Sequence, residues 1–495
     1  MMIWTMAMYS ARRLLLFLPA MFVAAQTPTG QFTGQVNGPS GSSIAGAKIT
    51  TTNVATRVSR DTVSNETGNY TVPLLPPGSY RIEVQKDGFR PIPGTGYTLN
   101  VDQIVRADFS TKLGSSVETV QVAVETPMLD TETAAMGAVI DNQKVSNLPL
   151  NQRNVFRLAL LAPGVVAAPG FGDQFNTASG FRINGGRANQ NEIMIDGVSN
   201  SMSAANPILV VAIFPSPDAL QEFKVQTNVY AAEYGGTAGG IVNMAMKSGT
   251  NRFHGSAYEF LRNSLLDSNN FFANRSGTPL ASFKRNQFGG TLGGPIRKDK
   301  AFFFVSYEGL RLRAASNATR TVPTDLQRTG NFSGTSALVG GSCLPVQVYD
   351  PVSTVPNPSG SGFIRSQFPG NAVPVSRLDP VGTRIATYYP RPNTPGAACT
   401  GANNFFASRA TVSDINQVDG RGDWAPTEKD RAFLSLSWRK REDVNPNFYG
   451  NAAETNAGIL ETLSSGCSPA GLHPDSGAFT HLRLSCWSES PGTPL

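Results

Sequence analysis

Side chains that commonly carry catalysis or bind metals are scarce in this chain, and their spacing excludes most chemistry. The 495 residues include 3 His and 4 Cys. Only His254 precedes the last few dozen positions, and no His-x-x-Glu pair accompanies it, so no zinc peptidase can be assembled. A Ser-His-Asp set fails for want of a credible imidazole. The runs GGTAGG at 235–240 and GGTLGG at 289–294 lack the Lys-Ser/Thr of a phosphate loop. Arg421-Gly422-Asp423 reads as a chance match to an adhesion tripeptide. Cys467, His473, His481 and Cys486 are of metal-ligand type, but they stand in a tail from about Leu460 without strand alternation. That tail (460–495) is read as an irregular, out-of-frame or misassembled end. The expectation is no enzyme, no cofactor and no resident metal.

What the sequence does hold is an arrangement of strands and tight turns. Charged residues make up only 15% and aromatics 9%, with 49 Gly and 34 Pro, a mix for short strands rather than long charged helices or disorder. The formal net charge is +6, but Lys and Arg are scattered without a basic run, so no nucleic-acid partner is expected. At the N-terminus Arg12-Arg13 precede an apolar stretch ending in Val23-Ala24-Ala25, which predicts a signal peptide over 1–25.

Residues 31–112 carry strand-like runs at spacings of about ten residues, as in an all-β sandwich. Tyr80, Ile82 and Val84 alternate with Arg81, Glu83 and Gln85, which predicts one buried and one wet face. From Phe181 to Arg252 the texture changes. Two apolar strands, at 192–195 and 240–246, flank turns built on Gly185-Gly186, Gly235-Gly236 and Gly239-Gly240. Such pairs permit positive φ and close backbone approach, as a domain wedged inside another structure needs.

The motifs RINGGR, IMIDGV, EFKVQTN, EYGG and GGIVNMAMKSGTN, in that order, resemble the plug of TonB-dependent outer-membrane receptors. LPLNQRNVFRLALLAPGV extends the resemblance, and the plug is expected over 117–250. Positions matching its motifs are Arg182, Gly185, Gly186, Arg187, Asp196, Gly197, Tyr234, Gly235, Gly239 and Gly240. Asp196 and Arg187 are the polar groups expected to pair with wall charges or backbone. The run TGNYTVPLLPPGSYRIEVQKDGF resembles a carboxypeptidase-regulatory-like, transthyretin-like module, and implies a rigid periplasmic unit. Between the two, Glu118, Thr119, Val120, Gln121 and Val122 resemble a TonB box, the segment offered to the energising protein TonB by strand addition. A linker or the first strand of the plug is the other reading of that strip.

After Thr250, runs of about ten residues (253–263, 285–296, 300–313 and 431–440) have the length of strands that cross a bilayer at barrel tilt. A further strand at 416–424 is expected to pair with 431–440. Residues 251–459 are therefore read as part of a β-barrel, with a long extracellular loop over 312–411 rich in Pro, Gly, Asn and Ser. FPGNAVPVSRLDP and YYPRPN in that loop resemble the Oar-like branch of the family. Cys343 and Cys399 both fall there, and an exported location suits a disulfide that clips the loop.

The predicted fold is thus mainly β: a sandwich, a small α+β plug, and the first strands of an antiparallel transmembrane barrel. Receptors of this kind close with about 22 strands; far fewer are legible here, and the chain is expected to be C-terminally truncated. The resemblance implies an outer-membrane protein of a Gram-negative-type bacterium, with lipid around the wall and the N-terminal module in the periplasm. Its partners would be TonB and an extracellular siderophore, oligosaccharide or peptide. A surface adhesion or structural role on the same fold is the alternative.

Overall fold

The computed structural model describes residues 29–114, 132–168, 180–202, 210–231, 234–275, 280–428, 430–451, 453–454, 460–467, 470–473 and 487–489. The predicted signal peptide and the strip at 118–122 lie outside the described residues.

The first unit is a sandwich of β1 (Gly30–Asn37), β2 (Lys48–Asn53), β3 (Ser59–Val63), β4 (Asn69–Leu75), β5 (Gly78–Gln85), β6 (Ile92–Leu99), β7 (Ile104–Arg106) and β8 (Phe109–Ser110). One sheet runs β4-β1-β7, with β8 also on β1, and the other β3-β2-β5-β6. In β5 the alternation does what its residue types dictate: Tyr80, Ile82 and Val84 are buried while Arg81 and Gln85 face water. They close on Phe32, Val36, Ile49 and Tyr70. The buried phenols of Tyr70 and Tyr80 each donate to a backbone carbonyl, of Ala107 at 2.7 Å and Pro76 at 2.6 Å. Without those acceptors each hydroxyl would cost about 1–3 kcal/mol.

The second unit is the plug. It contains β9 (Met136–Ile140), α1 (Asn142–Asn147), β10 (Val165–Ala167), β11 (Phe181–Ile183), β12 (Glu192–Ile195), β13 (Val198–Ser199), β14 (Ser201–Met202), β15 (Val210–Val211), β16 (Leu220–Asn228) and β17 (Ile241–Met246). Its main sheet has the order β13-β12-β17-β16-β9, with β12 parallel to β17 and β16 antiparallel to it. Every residue of β17 is buried, because the sheet is covered on both faces. Asp141 caps α1 by accepting from Lys144 N. The apolar run before Pro163 forms a 3₁₀ turn, Val155–Leu161, that buries Val155, Phe156, Leu158 and Ala159.

The third unit is a wall of long antiparallel strands: β18 (His254–Asn263), β19 (Phe283–Arg297), β20 (Ala301–Arg320), β25 (Phe405–Trp424) and β26 (Arg431–Val444). Four short strands, β21 (Ser336–Val339), β22 (Ser342–Pro345), β23 (Val355–Pro356) and β24 (Phe363–Ile364), lie in the loop between β20 and β25. Beyond β26 come β27 (Leu460–Cys467), β28 (Ala470–His473) and β29 (Trp487–Glu489). The 8-stranded sheet runs β18-β19-β20-β25-β26-β27-β29, with β28 on β26, and does not close on itself among the described residues. Phe302, Phe304 and Ser306 of β20 are buried, while Val305 and Tyr307 face outward. In β26, Ser435, Ser437 and Arg439 point inward, and Leu434, Leu436 and Trp438 outward. Apolar out and polar in is the pattern of a membrane barrel wall.

The largest departures from the sequence reading lie at the ends of β20 and β25 and in the tail. β20 and β25 are each 20 residues long and stay paired up to Arg320↔Phe405, so the connecting loop is 321–404 rather than 312–411. At their outer ends Ala318, Phe405 and Ala407 are buried in a small apolar cluster with Val322 and Phe448, a pattern too short to mark a strand in the sequence. In the tail, residues 460–467 pair along β26 from Val444↔Leu460 to Ser437↔Cys467. Ladder pairing needs only backbone donors and acceptors, so the missing alternation did not prevent it.

Cys343 and Cys399 are joined, closing 56 residues of sequence separation within the long loop. On a chain-entropy account such a closure is worth up to about 4 kcal/mol to the loop. Cys343→Ser is expected to raise hydrogen exchange in β21 and β22 at least tenfold while leaving β19 and β20 protected. Equal exchange in both proteins would mean that the loop is ordered without the bond.

Candidate functional site: the seam between plug and wall

Two polar clusters join the plug to the inner face of the wall. The first is built on the Asp196-Gly197 turn. β12 and β13 pair through Ile195↔Val198, so their connection is a two-residue hairpin, and both turn residues have positive φ (46° and 82°). Asp-Gly is the pair that such a turn favours. The turn aims the Asp196 carboxylate into the wall. Oδ1 accepts from Arg421 Nη1 at 2.8 Å and from Met246 N at 3.0 Å, and Oδ2 accepts from Ser435 Oγ at 2.6 Å. Arg421 also donates from Nε and Nη2 to Asp423, at 3.0 Å on each carboxylate oxygen. Its guanidinium lies 4.8 Å from the ring centre of Phe433, and Asp423 takes a further bond from plug residue Ser248 at 2.6 Å. The Asp196 side chain is 0% exposed and that of Arg421 11%, so this is a desolvated, fully bonded ion cluster.

The second cluster centres on Arg153, from the plug, and Glu308, from β20. Arg153 forms ion pairs with Asp218 and with Glu308, the latter at 3.3 Å from Nε to Oε2. Glu308 also accepts from Ser216 at 2.9 Å, Tyr258 at 2.9 Å and Gln287 at 2.7 Å. Arg153 stacks 4.2 Å from the ring centre of Tyr258 and 4.7 Å from that of Phe260. Burial disfavours its charge, but Glu308 and Asp218 outweigh that and hold its pKa above the ordinary arginine value. Between the clusters the contact is apolar, and Phe304 of the wall is counted in the same core as Phe223, Met244 and Phe181 of the plug.

The residues singled out in the sequence fall in different places. Asp196 and Gly197 form the turn at the seam, whereas Arg187 is exposed and its backbone N–H donates to Gln190 Oε1 at 3.1 Å. Arg182 faces outward from β11. Gly185 and Gly236 have positive φ (76° and 77°), while Gly186 and Gly235 are ordinary turn residues beside them. Gly239 and Gly240 are required by space. A Cβ at Gly240 would sit 2.4 Å from Ile183 Cδ1 and 2.6 Å from Gln226 O, and one at Gly239 would sit 2.2 Å from Gln190 O. Tyr234 is buried and bonded to the sandwich rather than to the wall. Arg421, Asp423, Arg153 and Glu308 were not foreseen. For Arg421 and Asp423 a signal existed: two opposite charges at i and i+2 fall on one face of a strand, and a charged inner face needs a partner.

Comparison with known proteins agrees with this architecture. Residues 31–112 match the family "Carboxypeptidase regulatory-like domain", 130–242 the "TonB-dependent Receptor Plug Domain" and 245–466 the "Outer membrane beta barrel domain". The TonB-dependent transporter Oar of Myxococcus xanthus is 28% identical over 306 residues, covering 59% of this chain and 27% of that protein. The chain therefore spans about a quarter of the length of the curated relative that it matches. Among solved structures, the outer-membrane transporter YddB of Escherichia coli aligns at a TM-score of 0.40 and 13% identity, covering 69% of this chain and 37% of that one. The siderophore receptor PirA of Acinetobacter baumannii aligns at 0.36 and 16%, covering 69% and 38%. A carboxypeptidase regulatory-like sandwich, a TonB-dependent receptor plug and outer-membrane barrel strands thus follow one another along this chain, which is similar to the Oar-like TonB-dependent receptors.

Proposed function

We propose that the protein admits an extracellular ligand to the periplasm by energised movement of its plug, with residues 118–122 offered to TonB. The observation that carries this reading is the seam itself. The plug is fixed to the wall chiefly by buried ions and hydrogen bonds, Asp196–Arg421 and Arg153–Glu308, flanking a modest apolar patch. Contacts of this kind are strong while dry, yet each group can be taken over by water once it is uncovered. That suits a stopper that must hold and yet be drawn aside by a pull on its N-terminal side. The Myxococcus relative is named a transporter, which supports the same reading. Arg182, Arg187 and the motif glycines serve the plug's shape in this proposal, and the ligand class is a siderophore, an oligosaccharide or a peptide.

The strip is tested directly. A peptide covering residues 114–133 is expected to bind the purified periplasmic domain of TonB, and Val120→Pro is expected to weaken that binding at least tenfold, since proline removes a ladder donor. Titration calorimetry reads both. Equal binding by the two peptides, or none by either, sinks the assignment of this strip as the TonB contact.

A further inference from the structure

A separate polar contact joins the sandwich to the plug, well away from the wall clusters in sequence. The turn at 100–103, between β6 and β7, presses against β16 and β17. Val101 is 0% exposed, and its N–H donates to the carboxylate of Glu222. Asp102 has φ of 52°, a left-handed conformation that aspartate adopts more readily than most side chains. Its carboxylate accepts from Tyr234 Oη at 2.7 Å, Asn243 Nδ2 at 3.0 Å and Gln226 Nε2 at 3.3 Å, and its main-chain oxygen accepts from Lys224 Nζ at 2.9 Å. Tyr234 and Asn243 also bond each other at 2.9 Å. Thus β16, β17 and the segment between them all converge on one aspartate from the other domain. A second loop of the sandwich is tied nearby, since Asn251 donates to Ala55 O at 3.1 Å and to Thr56 O at 2.6 Å.

We propose that the turn at 100–103 is a proton-linked clasp through which the sandwich rides on the plug. The groups facing the clasp are Asp102 from the turn, Glu222 and Lys224 from β16, Tyr234, and Asp141 at the cap of α1. Glu222 is 5% exposed, and burial pushes its pKa up to about 7; the Val101 N–H opposes this, while Asp141 and Asp102 add to it. Burial also raises Asp102, against the bonds from Asn243 and Tyr234. When the domains separate, both carboxylates regain water and return toward their ordinary values. Docking therefore takes up protons. It is strongest below the ordinary carboxylate range and is progressively lost as pH rises through about 7. One linked proton changes the docking equilibrium by up to about tenfold per pH unit between those limits. A protonated Glu222 can still accept from Val101 on its carbonyl oxygen, so the bond survives closure.

The test uses the full chain in nanodiscs, with spin labels introduced as non-canonical residues at exposed Val63 of the sandwich and exposed Leu161 of the plug. Pulsed dipolar distances are recorded from pH 5 to 8.5. A single short-distance population is expected at low pH, with a broad, longer one growing as pH passes 7. Glu222→Gln is expected to keep the domains docked and to flatten the pH dependence. Asp102→Ala is expected to lower the docked-to-free ratio at least tenfold at every pH, and Asp102→Asn by less. Distances that do not change with pH in the native protein overturn the proton linkage. Unchanged distances in Asp102→Ala overturn the clasp, and release on lowering the pH reverses its sign and overturns it too.

Discussion

Replacing Arg421 with alanine is expected to weaken the hold of the wall on the plug by about 3–5 kcal/mol, the cost of removing one partner from a buried ion cluster. The loss exceeds that of the bonds themselves, because Asp196 would be left dry without its cation while half-buried Asp423 lost its guanidinium fork. Ser435 and Met246 N would still bond Asp196, so the carboxylate is not wholly abandoned. Arg421→Lys keeps the charge but not the fork that serves two carboxylates, and is expected to recover less than half of the loss. The readout is hydrogen exchange of β12 and β17 amides in the membrane-embedded protein. If their protection is the same in Arg421→Ala as in the native chain, this cluster does not hold the plug.

Glu308→Ala acts at the other end of the seam, with an expected loss also of about 3–5 kcal/mol. Arg153, Ser216, Tyr258 and Gln287 all donate to that one carboxylate. Its removal leaves Arg153 with Asp218 as its one carboxylate partner and takes an acceptor from three neutral donors at once. Glu308→Gln preserves the shape and one acceptor oxygen but not the charge beneath Arg153, and is expected to cost about 1–3 kcal/mol. Arg421 sits opposite Phe304 in the ladder, and Glu308 is four residues further along β20, about 13 Å at strand rise. At that separation the two losses should add to within about 0.5 kcal/mol. A double variant much less affected than the sum would mean that freeing either cluster already frees the plug. Such a result would make the seam a single cooperative catch.

Much of the architecture was legible because period and turn chemistry are local. The alternation of Tyr80, Ile82 and Val84 marked one sandwich face, and the run at 300–313 marked a strand of the wall. The Asp-Gly hairpin at 196–197 could be read from two residues. Contacts between domains could not. Arg153 and Glu308 are 155 positions apart, and Asp102 and Tyr234 132. Nothing in their immediate sequence distinguishes them from solvated charges. Arg421 and Asp423 were set aside as a chance tripeptide because a motif read in isolation carries no partner. The strand ends at Arg320 and Phe405 were missed for a different reason. There the apolar positions are few and interrupted by polar ones, and the strands show themselves only through their pairing.

Those extended ends have a consequence of scale. Twenty paired residues in β20 and β25 make a ribbon about 66 Å long, or about 50 Å tall at barrel tilt. The apolar band of an outer-membrane barrel is only about 25 Å tall. The sandwich lies at the opposite end, where Asn251 contacts both Thr56 and Asp299. About half of the ribbon's length therefore exceeds that band, and the loop clipped by Cys343–Cys399 joins its two strands at the end away from the sandwich.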